Sequence, residues 1–493
     1  MGIQLAILIC SVGIAVLFYL NRDKSARNSK ALWLPVIWLW IAGSRPVSAW
    51  FGVSSANTLS ATLEGSPMDA AIYGALLAIG VIVLLHRRKK TSAFVIRNGP
   101  IIVYSLYCLM SVLWAPFLGP AFKRWTKDVG DLVMVLIIAT DPEPVSALRR
   151  LYSRVGFILF PFSIVLIRYS NMGRGFDPIG NPANIGVTTD KNSLGLIAFV
   201  VSLGVLWNLR SLLIHKDEPN RGRRLVAQGT LLAFGLVVLE MAHSATSIAC
   251  FILASGIIFA TGLRAIRNRP ARVHALCFAI IFAGGIIFLL GGVESITHAL
   301  GRNSTLSGRT DIWAALIPAA TNPVFGAGFD SFWTSPNALE FQRNLLNWYH
   351  ASDINEAHNG YIELYLNLGW VGLGLISLVL ISGYRSAVAA FRVDPSVGGL
   401  MLAYIVAGSV YSLAEAGFRT LNPMWIFLLL AIVSASGVAT GFFRGKAREK
   451  LAVSADKGGR TLGKNEPKPA WGTIYAAQSG LIPSTTARTN SPR

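Results

Sequence analysis

Charged residues are scarce in this sequence. They make up 14% of its 493 residues, whereas hydrophobic residues make up 53% and the mean hydropathy is +0.53. A soluble globular chain carries roughly 25% charged residues. This shortage, combined with apolar runs of about 20 residues, predicts an all-α, polytopic integral membrane protein.

Cysteines and familiar reaction motifs are also few. The four cysteines, at positions 10, 108, 250 and 277, lie in apolar runs without metal spacing, so they indicate neither a disulfide framework nor a zinc site. We find no Walker loop, Rossmann glycine pattern or serine nucleophile elbow, and we expect no cofactor. The net charge of +20 does not indicate nucleic-acid binding, because the chain is a membrane protein and the basic residues are unevenly placed.

The apolar runs predict about 12–13 transmembrane helices within a membrane domain of residues 1–443. The segments are 3–20, 31–51, 68–85, 101–118, 128–140, 151–167, 192–209, 225–243, 245–263, 273–291, 361–383, 397–414 and 424–443. The fifth is short for a full crossing, so we expect it to be tilted or partly re-entrant. The first is predicted to be a retained span. Residues 444–493 form a basic, polar stretch that we expect to be a disordered cytoplasmic tail.

Lysine and arginine alternate between successive connections, which predicts the orientation of the chain. The basic connections fall on one side, and cytoplasmic connections carry such an excess. The N-terminus is then outside and the C-terminus inside. Eleven basic residues remain outside: Arg45, Lys123, Arg124, Lys127, Arg168, Arg174, Lys191, Arg302, Arg309, Arg343 and Arg419. Any one of these is explained by snorkelling, but as a set they favour an anionic ligand at the outer interface.

A long polar segment, 292–360, separates two apolar segments, and we expect it to be an extracytoplasmic catalytic loop. His358 lies at its end, immediately before a predicted helix. The positive end of that helix and nearby arginines predict a neutral imidazole near pH 7, which suits a general base. An ordinary polar surface histidine is the plainer interpretation, and His350 is the second candidate.

Two basic residues lie at predicted helix starts, where free N–H groups favour anions. Arg309 begins a short amphipathic stretch that is followed by the turn from Asn322 to Gly328. Lys191 begins the seventh span, with Asp190 or Asn192 as its cap. An ordinary capped helix start explains the second feature equally well.

Metal chemistry is not expected. The outer acidic residues show no paired carboxylates and no histidine–carboxylate cluster at metal spacing. Within the spans, Glu240 is the only clear acid near a span end. Because transporters carry ionisable groups near the middle of the bilayer, this scarcity argues against the alternative function, a polysaccharide flippase or other secondary transporter.

Several motifs occur in a set order around the loop. They are Arg309 with Trp313, Asn322-Pro323, Gly326 with Gly328, His358-Asn359 with Tyr361, and Leu368-Gly369-Trp370-Val371-Gly372. This series resembles the O-antigen ligase and Wzy-type polymerase superfamily. The motif Lys191-Asn192 with Leu194-Gly195 is similar to its ExoQ-like exopolysaccharide-polymerase branch. The ligase-like region spans about residues 190–375.

The resemblance implies a GT-C-like helical fold and a glycosyltransferase that needs no metal. The implied donor is an undecaprenyl-pyrophosphate-linked glycan, and the implied acceptor is lipid A-core (a ligase) or another lipid-linked glycan (a polymerase), with transfer to a protein hydroxyl as a third option. By the same resemblance, His358 activates the acceptor hydroxyl and Arg309 contacts the donor diphosphate. Lys191, Arg168 and Arg174 are candidates for further donor contacts.

Overall fold

The computed structural model describes residues 2–23, 26–52, 65–177, 180–267, 269–289, 307–349 and 355–444. The helices are α1 Ile3–Leu20, α2 Trp33–Ala42, α3 Val47–Trp50, α4 Pro67–His86, α5 Arg88–Arg97, α6 Gly99–Ser111, α7 Leu118–Ala139, α8 Pro144–Tyr169, α9 Lys191–Ile214, α10 Arg221–Met241, α11 Ala245–Gly262, α12 Arg264–Arg267, α13 Pro270–Leu289, α14 Ser307–Leu316, α15 Pro336–Tyr349, α16 Gly360–Val393, α17 Pro395–Ala414 and α18 Pro423–Ala439. The strands β1 Arg174–Phe176 and β2 Pro182–Asn184 form a short antiparallel hairpin, with Arg174 opposite Asn184.

The predicted all-α, multi-pass membrane fold is confirmed. Within the described ranges, eight helices are long and apolar enough to cross a membrane, and the bent pair α5–α6 makes a ninth if it forms one span. All thirteen predicted segments coincide with helices. The second segment is interrupted between α2 and α3, where Arg45 and Pro46 turn the chain.

The predicted catalytic loop and tail are described only in part. Residues 290–306 and 350–354 of the loop lie outside the described ranges, and His350 is among them. The predicted tail lies outside them from residue 445 onward. The chain divides into two compact units, and the first of them is Met1–Phe443.

The helices differ in how much of their surface is covered by the rest of the protein. In α9 and α17, 72% and 78% of the residues of the apolar window are buried, whereas in α1 and α4 the shares are 11% and 22%. Almost every residue of α18 is buried as well. In α8 the share is 72% as well. The centre of the bundle is therefore built from α8, α9, α17 and α18, and the helices α1 and α4 present apolar side chains outward, as lipid-facing helices do.

The short fifth segment is the second half of a longer helix. α7 has 22 residues, and its first half carries Lys123, Arg124 and Lys127. Because a hydropathy window stops at these charges, the sequence shows only the apolar half.

The sequence indicates Glu240 as the only clear acid near a span end, but two further acids lie buried in α7. Ionisable groups inside the bundle are therefore less scarce than predicted. Asp128 accepts a hydrogen bond from the indole N–H of Trp425 at 2.8 Å. Asp131 accepts one from the indole of Trp38 at 2.7 Å. A buried carboxylate is tolerated only when it has such donors, and here the donors tie α7 to α18 and α2.

Polar contacts join connections that the charge pattern places on one side of the membrane. Asn28 donates to Asp141 at 2.9 Å, and Arg149 pairs with Glu218 at 3.3 Å. These bonds link the connections after α1, α7 and α9. The predicted alternation of connections agrees with this grouping.

Helix α16 is broken at Gly369, where the backbone has φ 64° and ψ −164°. The turn predicted between Asn322 and Gly328 packs into this break. A Cβ atom on Gly369 would lie 2.2 Å from the carbonyl oxygen of Val324, and one on Gly326 (φ 72°) would lie 2.3 Å from that of Asn367. Both positions need glycine, and the predicted close backbone approach is confirmed.

Asn367 fixes the next part of the loop to the broken helix. Its backbone carbonyl accepts a hydrogen bond from the N–H of Gly328 at 2.9 Å. Its side-chain Oδ1 accepts from the N–H groups of Ser331 and Phe332 at 2.7 and 2.9 Å. These buried bonds hold the segment after the glycine turn against α16, so this part of the loop has a definite position relative to the helix that His358 precedes.

Candidate active site

His358 lies in the short connection that enters α16, at the helix start that the sequence predicts. Its backbone is in the left-handed region, with φ 47°. The next residue, Asn359, caps α16, because its Oδ1 accepts hydrogen bonds from the N–H groups of Tyr361 and Ile362 at 2.9 and 3.1 Å. A non-glycine residue in this conformation is held there by its surroundings, and such residues cluster at functional sites.

The ring of His358 lies between two carboxylates. Nδ1 is 2.8 Å from Oε1 of Glu356 and 3.3 Å from Oε2 of Glu415. Ionised carboxylates only accept hydrogen bonds, so Nδ1 carries a proton in this arrangement. Burial by itself lowers the pKa of His358, but the hydrogen bonds and charges of the two carboxylates outweigh it and raise the pKa to about 9.

The predicted neutral imidazole near pH 7 is therefore wrong for this arrangement. A helix start favours the neutral ring in principle, but a helix terminus contributes only about 0.3–1 kcal/mol. Two carboxylates within hydrogen-bonding distance favour the imidazolium more strongly. In the described state His358 is a cation at neutral pH.

Arg419 adds a second cation beside this group. Its Nη1 lies 3.2 Å from Oε2 of Glu356. Burial lowers the pKa of Arg419, but the charges of Asp330, Glu363 and Glu356 outweigh burial and raise it. Arg419, Asp330, Glu363 and Asn367 line a small cleft. The cleft therefore holds both signs of charge next to the His358 connection.

Glu415 connects this group to a different part of the chain. Its side chain is only 7% exposed. Its Oε1 accepts a hydrogen bond from Asn192 of α9 at 3.2 Å, and its backbone carbonyl accepts from the N–H groups of Gly360 and Gly417 at 3.1 and 2.8 Å. Glu415 is thus held by the start of α9, the start of α16 and its own turn.

Lys191 begins α9, as predicted, and Asp190 rather than Asn192 is the cap. Oδ1 of Asp190 accepts from the N–H of Ser193 at 2.8 Å. Nζ of Lys191 lies 3.2 Å from Oδ2 of Asp177. Burial alone would raise the pKa of Asp177, but hydrogen bonds from Asn181 and Lys191 lower it. Lys191 is therefore one residue from the contact with Glu415, and its charge is shared with a carboxylate.

Arg168 and Arg174 lie together at the end of α8, and both side chains are exposed. The guanidinium of Arg174 donates from Nε to the carbonyl of Ile167 at 2.8 Å and from Nη2 to that of Arg168 at 3.1 Å. These bonds satisfy carbonyls at a helix C-terminus. The hairpin that begins at Arg174 continues to Asp177, so these two arginines and Lys191 share one connection.

Arg309 is the third residue of α14, the short helix predicted at this place. Its side chain lies outside the described part of the chain. One helical turn later, Nε1 of Trp313 donates to the carbonyl oxygen of Ala357 at 2.7 Å. α14 is thus bonded to the residue that immediately precedes His358.

Sequence reasoning missed three members of the group around His358. The sequence pattern gives Glu356 no role beyond that of an outer acidic residue, includes Arg419 only among the eleven outer basic residues, and does not single out Glu415. A usable signal for the last two was their position: both lie in the short connection between two apolar spans, where an ionisable group is expensive unless it has a partner. For Asn192 the sequence indicates a possible helix cap and a place in the motif with Lys191, but no contact with the group around His358.

The expectation of no histidine–carboxylate cluster is corrected by the tertiary structure. Ligand atoms of Glu356, His358 and Glu415 all lie within 4.8 Å of one another, close enough to hold a metal ion. The cluster is already satisfied by other bonds, because Arg419 pairs with Glu356 and Asn192 donates to Glu415. A cation would also have to displace the proton on Nδ1. The donor set therefore fits a hydrogen-bonded acid–histidine group better than a metal centre.

The fold and the site together define a multi-pass α-helical membrane protein with a charged, partly buried site at one end of its helices. Residues 230–377 match the family described as O-Antigen ligase. This region contains α14, His358 and the break at Gly369. The chain is also 24% identical over 375 residues to the exopolysaccharide production protein ExoQ of Rhizobium meliloti (strain 1021), an alignment that covers 75% of this chain and 84% of that protein.

Residues 230–377 of the chain thus resemble the O-antigen ligase family, and the chain as a whole is similar to an exopolysaccharide production protein. The family predicted from the order of the motifs is confirmed. Its function is therefore of the ligase or polymerase type, in polysaccharide biosynthesis. Asn192 and Glu415, which complete the group around His358, lie outside the region that the family match covers.

Proposed function

We propose that this protein is a membrane glycosyltransferase. It moves a glycan from a polyprenyl-pyrophosphate carrier, undecaprenyl pyrophosphate in a bacterium, to a sugar hydroxyl on the extracytoplasmic face of the inner membrane. The observation that supports this most directly is the placement of His358 between two carboxylates, next to Arg419 and α14, within the family-matched region. The active site is periplasmic and the C-terminus cytoplasmic in this proposal, as the lysine and arginine pattern indicates.

The transfer is a direct displacement at the anomeric carbon. The acceptor oxygen forms a bond to this carbon as the bond from the carbon to the pyrophosphate oxygen breaks with its electron pair. The acceptor proton passes to His358, and the polyprenyl pyrophosphate leaves as an anion. A single displacement inverts the anomeric configuration, and the good leaving group makes a metal unnecessary.

The pKa of about 9 constrains how His358 acts. At pH 7 a group with this pKa is neutral in only about 1% of molecules. The imidazolium must lose its proton before the acceptor proton can be taken. The neutral form is in turn a stronger base than an unperturbed imidazole, so the cost in population is partly offset by a larger driving force for proton transfer.

Basic side chains bind the donor pyrophosphate and stabilise the charge that develops on it. Arg309 takes this role at the start of α14, helped by Lys191, Arg168 and Arg174 on the connection before α9. Support for this assignment comes from the bond between α14 and Ala357, and from the contact of Asn192, next to Lys191, with Glu415.

A transfer assay in lipid nanodiscs tests the proposal, with a lipid-pyrophosphate glycan as donor and a lipid-linked glycan as acceptor. His358→Ala should lose about 10²- to 10⁴-fold in rate, the usual contribution of general acid–base catalysis. Arg309→Ala should weaken use of the donor in the folded, inserted protein. Glu240→Gln, which changes an exposed charge near the end of α10, is the matched control and should act like the wild type. Full activity of His358→Ala would refute the role as base.

Chelation tests the metal-free step separately. EDTA should leave the rate unchanged, and loss of activity that Mg²⁺ or Mn²⁺ restores would contradict it.

The acceptor decides between ligase and polymerase. Similarity to a protein named for exopolysaccharide production supports a polymerase that joins lipid-linked repeat units. Deletion of the gene should then remove long exopolysaccharide and leave lipopolysaccharide intact. Uncapped lipid A-core in the deletion strain would identify a ligase.

A further inference from the structure

The position of Glu415 suggests a role beyond bonding between helices. It lies 57 residues after His358, in the connection between α17 and α18, yet its Oε2 is 3.3 Å from Nδ1. Its second oxygen accepts from Asn192 at 3.2 Å. Both oxygens of this buried carboxylate therefore have a donor, and the plane of the carboxylate is determined by α9 on one side and by His358 on the other.

We propose that Glu415 is the positioning residue for His358: it accepts the Nδ1–H and so leaves Nε2 as the nitrogen that takes the acceptor proton. The inference rests on the proposed function, in which His358 is the base. Beyond that function, the inference specifies which tautomer the ring adopts, which ring nitrogen takes the proton, and which side chain keeps the ring in that tautomer and orientation. The arrangement follows the logic by which a buried carboxylate orients a catalytic imidazole.

Glu415 suits this role better than Glu356, although Glu356 is nearer to Nδ1. Glu356 shares its charge with Arg419 at 3.2 Å, its side chain is 29% exposed, and it lies only two residues from His358 on the same connection. Glu415 is almost fully buried and faces the neutral amide of Asn192. Its charge is therefore less screened by solvent.

The backbone supports the same assignment. The carbonyl of Glu415 accepts from the N–H of Gly360, the first residue of α16. His358 is two residues earlier, held in a left-handed conformation. The bond from Gly360 fixes the distance between the turn of Glu415 and the entry to α16, so this contact between the ring and the carboxylate is set by the two helix ends.

The pH dependence of this pair also involves its charged neighbours. Glu356 lies on the connection of His358, and Arg419 on that of Glu415. Asp330 comes from the loop after the glycine turn, Glu363 from the first turn of α16, and Asp190 from the cap of α9. The comparison below therefore uses variants that change one charge at a time.

The experiment measures rate against pH in nanodiscs for the wild type, Glu415→Gln, Glu415→Asp and Glu356→Gln, with Glu240→Gln as the control. The wild-type rate should rise with pH towards about 9. Glu415→Gln should lower kcat by about 10²-fold, because an amide donates as well as accepts and so no longer selects one tautomer. The rising part of the plot of rate against pH should also move at least one pH unit lower. Glu415→Asp should restore part of kcat and shift the plot of rate against pH back towards that of the wild type.

A second measurement reads the ring directly. In protein labelled with ¹⁵N-histidine, and assigned with His358→Gln, the neutral ring of His358 should be protonated at Nδ1 in the wild type and a mixture of tautomers in Glu415→Gln. This readout does not need turnover, so it separates positioning from a loss of folding.

The outcomes distinguish the inference from the function on which it rests. The inference alone is overturned if His358→Ala is inactive while Glu415→Gln keeps the kcat, the pH–rate profile and the histidine tautomer of the wild type. A larger shift of the pH–rate profile in Glu356→Gln than in Glu415→Gln would also overturn the inference. Binding of Mn²⁺ that broadens the His358 signal and is required for turnover overturns it too, because Nδ1 would then be a ligand. No transfer by the wild type refutes the proposed function itself.

Discussion

At the scale of single residues, the protonation of His358 depends on opposing effects of known size. Burial favours the neutral ring and two carboxylates favour the cation; a helix start also favours the neutral ring on general grounds. The carboxylates prevail because they are within hydrogen-bonding distance of Nδ1, while a helix terminus acts weakly. A histidine at a helix start can be recognised in the sequence, but its charge cannot be determined without knowing its neighbours in space.

The raised pKa of His358 predicts how stability changes with pH. Its folded value of about 9 exceeds the unfolded value of about 6.5, so the interaction stabilises the protein fully below pH 6.5 and is lost as the pH rises through 9. The thermal midpoint in nanodiscs should therefore fall with pH across this window in the wild type. The expected loss is on the order of 2 kcal/mol.

The control for this prediction is a pair of histidine variants. In His358→Gln the fall between pH 6.5 and 9 should largely disappear. His86→Gln, at an exposed histidine at the end of α4, should keep the wild-type pH dependence. A wild type and a His358→Gln protein with parallel curves would show that the carboxylates do not stabilise the imidazolium.

At the scale of elements, the glycine turn of the loop packs against the break in α16, so each of the two features accounts for the shape of the other. The turn from Asn322 to Gly328 was recognisable by its proline and glycines, and Gly369 by its place in an apolar run. What joins them is the approach of the turn to the break in α16, where no Cβ fits at Gly326 or Gly369. The helix that follows His358 is thus shaped by a segment about 40 residues earlier.

This fit predicts different outcomes for two glycines of α16. Gly369→Ala places a Cβ 2.2 Å from a carbonyl oxygen at φ 64°, so it should destabilise the protein by more than about 2 kcal/mol. It should also lower the transfer rate, because the loop beside the cleft must shift. Gly374→Ala is the matched control, since a Cβ there meets nothing within 4 Å. Equal thermal midpoints for the two variants would contradict the packing at the break.

At the scale of the whole molecule, the positions of lysine and arginine predict which end of the bundle faces the cytoplasm. The bonds from Asn28 and Arg149 join basic connections at one end, and His358 lies with the connections predicted on the other side. The buried acids of α7 have indole donors inside the bundle, so they connect helices and do not need a transport role.

Cysteine labelling tests the orientation. Asn171→Cys lies on the connection predicted outside, and Gly222→Cys on one predicted inside; both positions are exposed. A membrane-impermeant maleimide should label Asn171→Cys in intact cells and Gly222→Cys only in inverted vesicles. The wild type supplies the baseline, because three of its four cysteines are buried. The reverse labelling would place His358 on the cytoplasmic side and refute the proposed face.

The sequence by itself determined the membrane class, the helical segments, the alternation of connections, the glycine turn and the helix that begins after His358. These features follow from hydropathy, charge and residue types within about one helix length, so they can be predicted from short stretches of sequence. The tertiary structure alone decided that Glu415 and Asn192 meet at His358, that Arg419 lies beside them, and that α7 carries buried acids. Those contacts join residues up to 297 positions apart in the sequence, and only the packing of the whole bundle brings them within hydrogen-bonding distance.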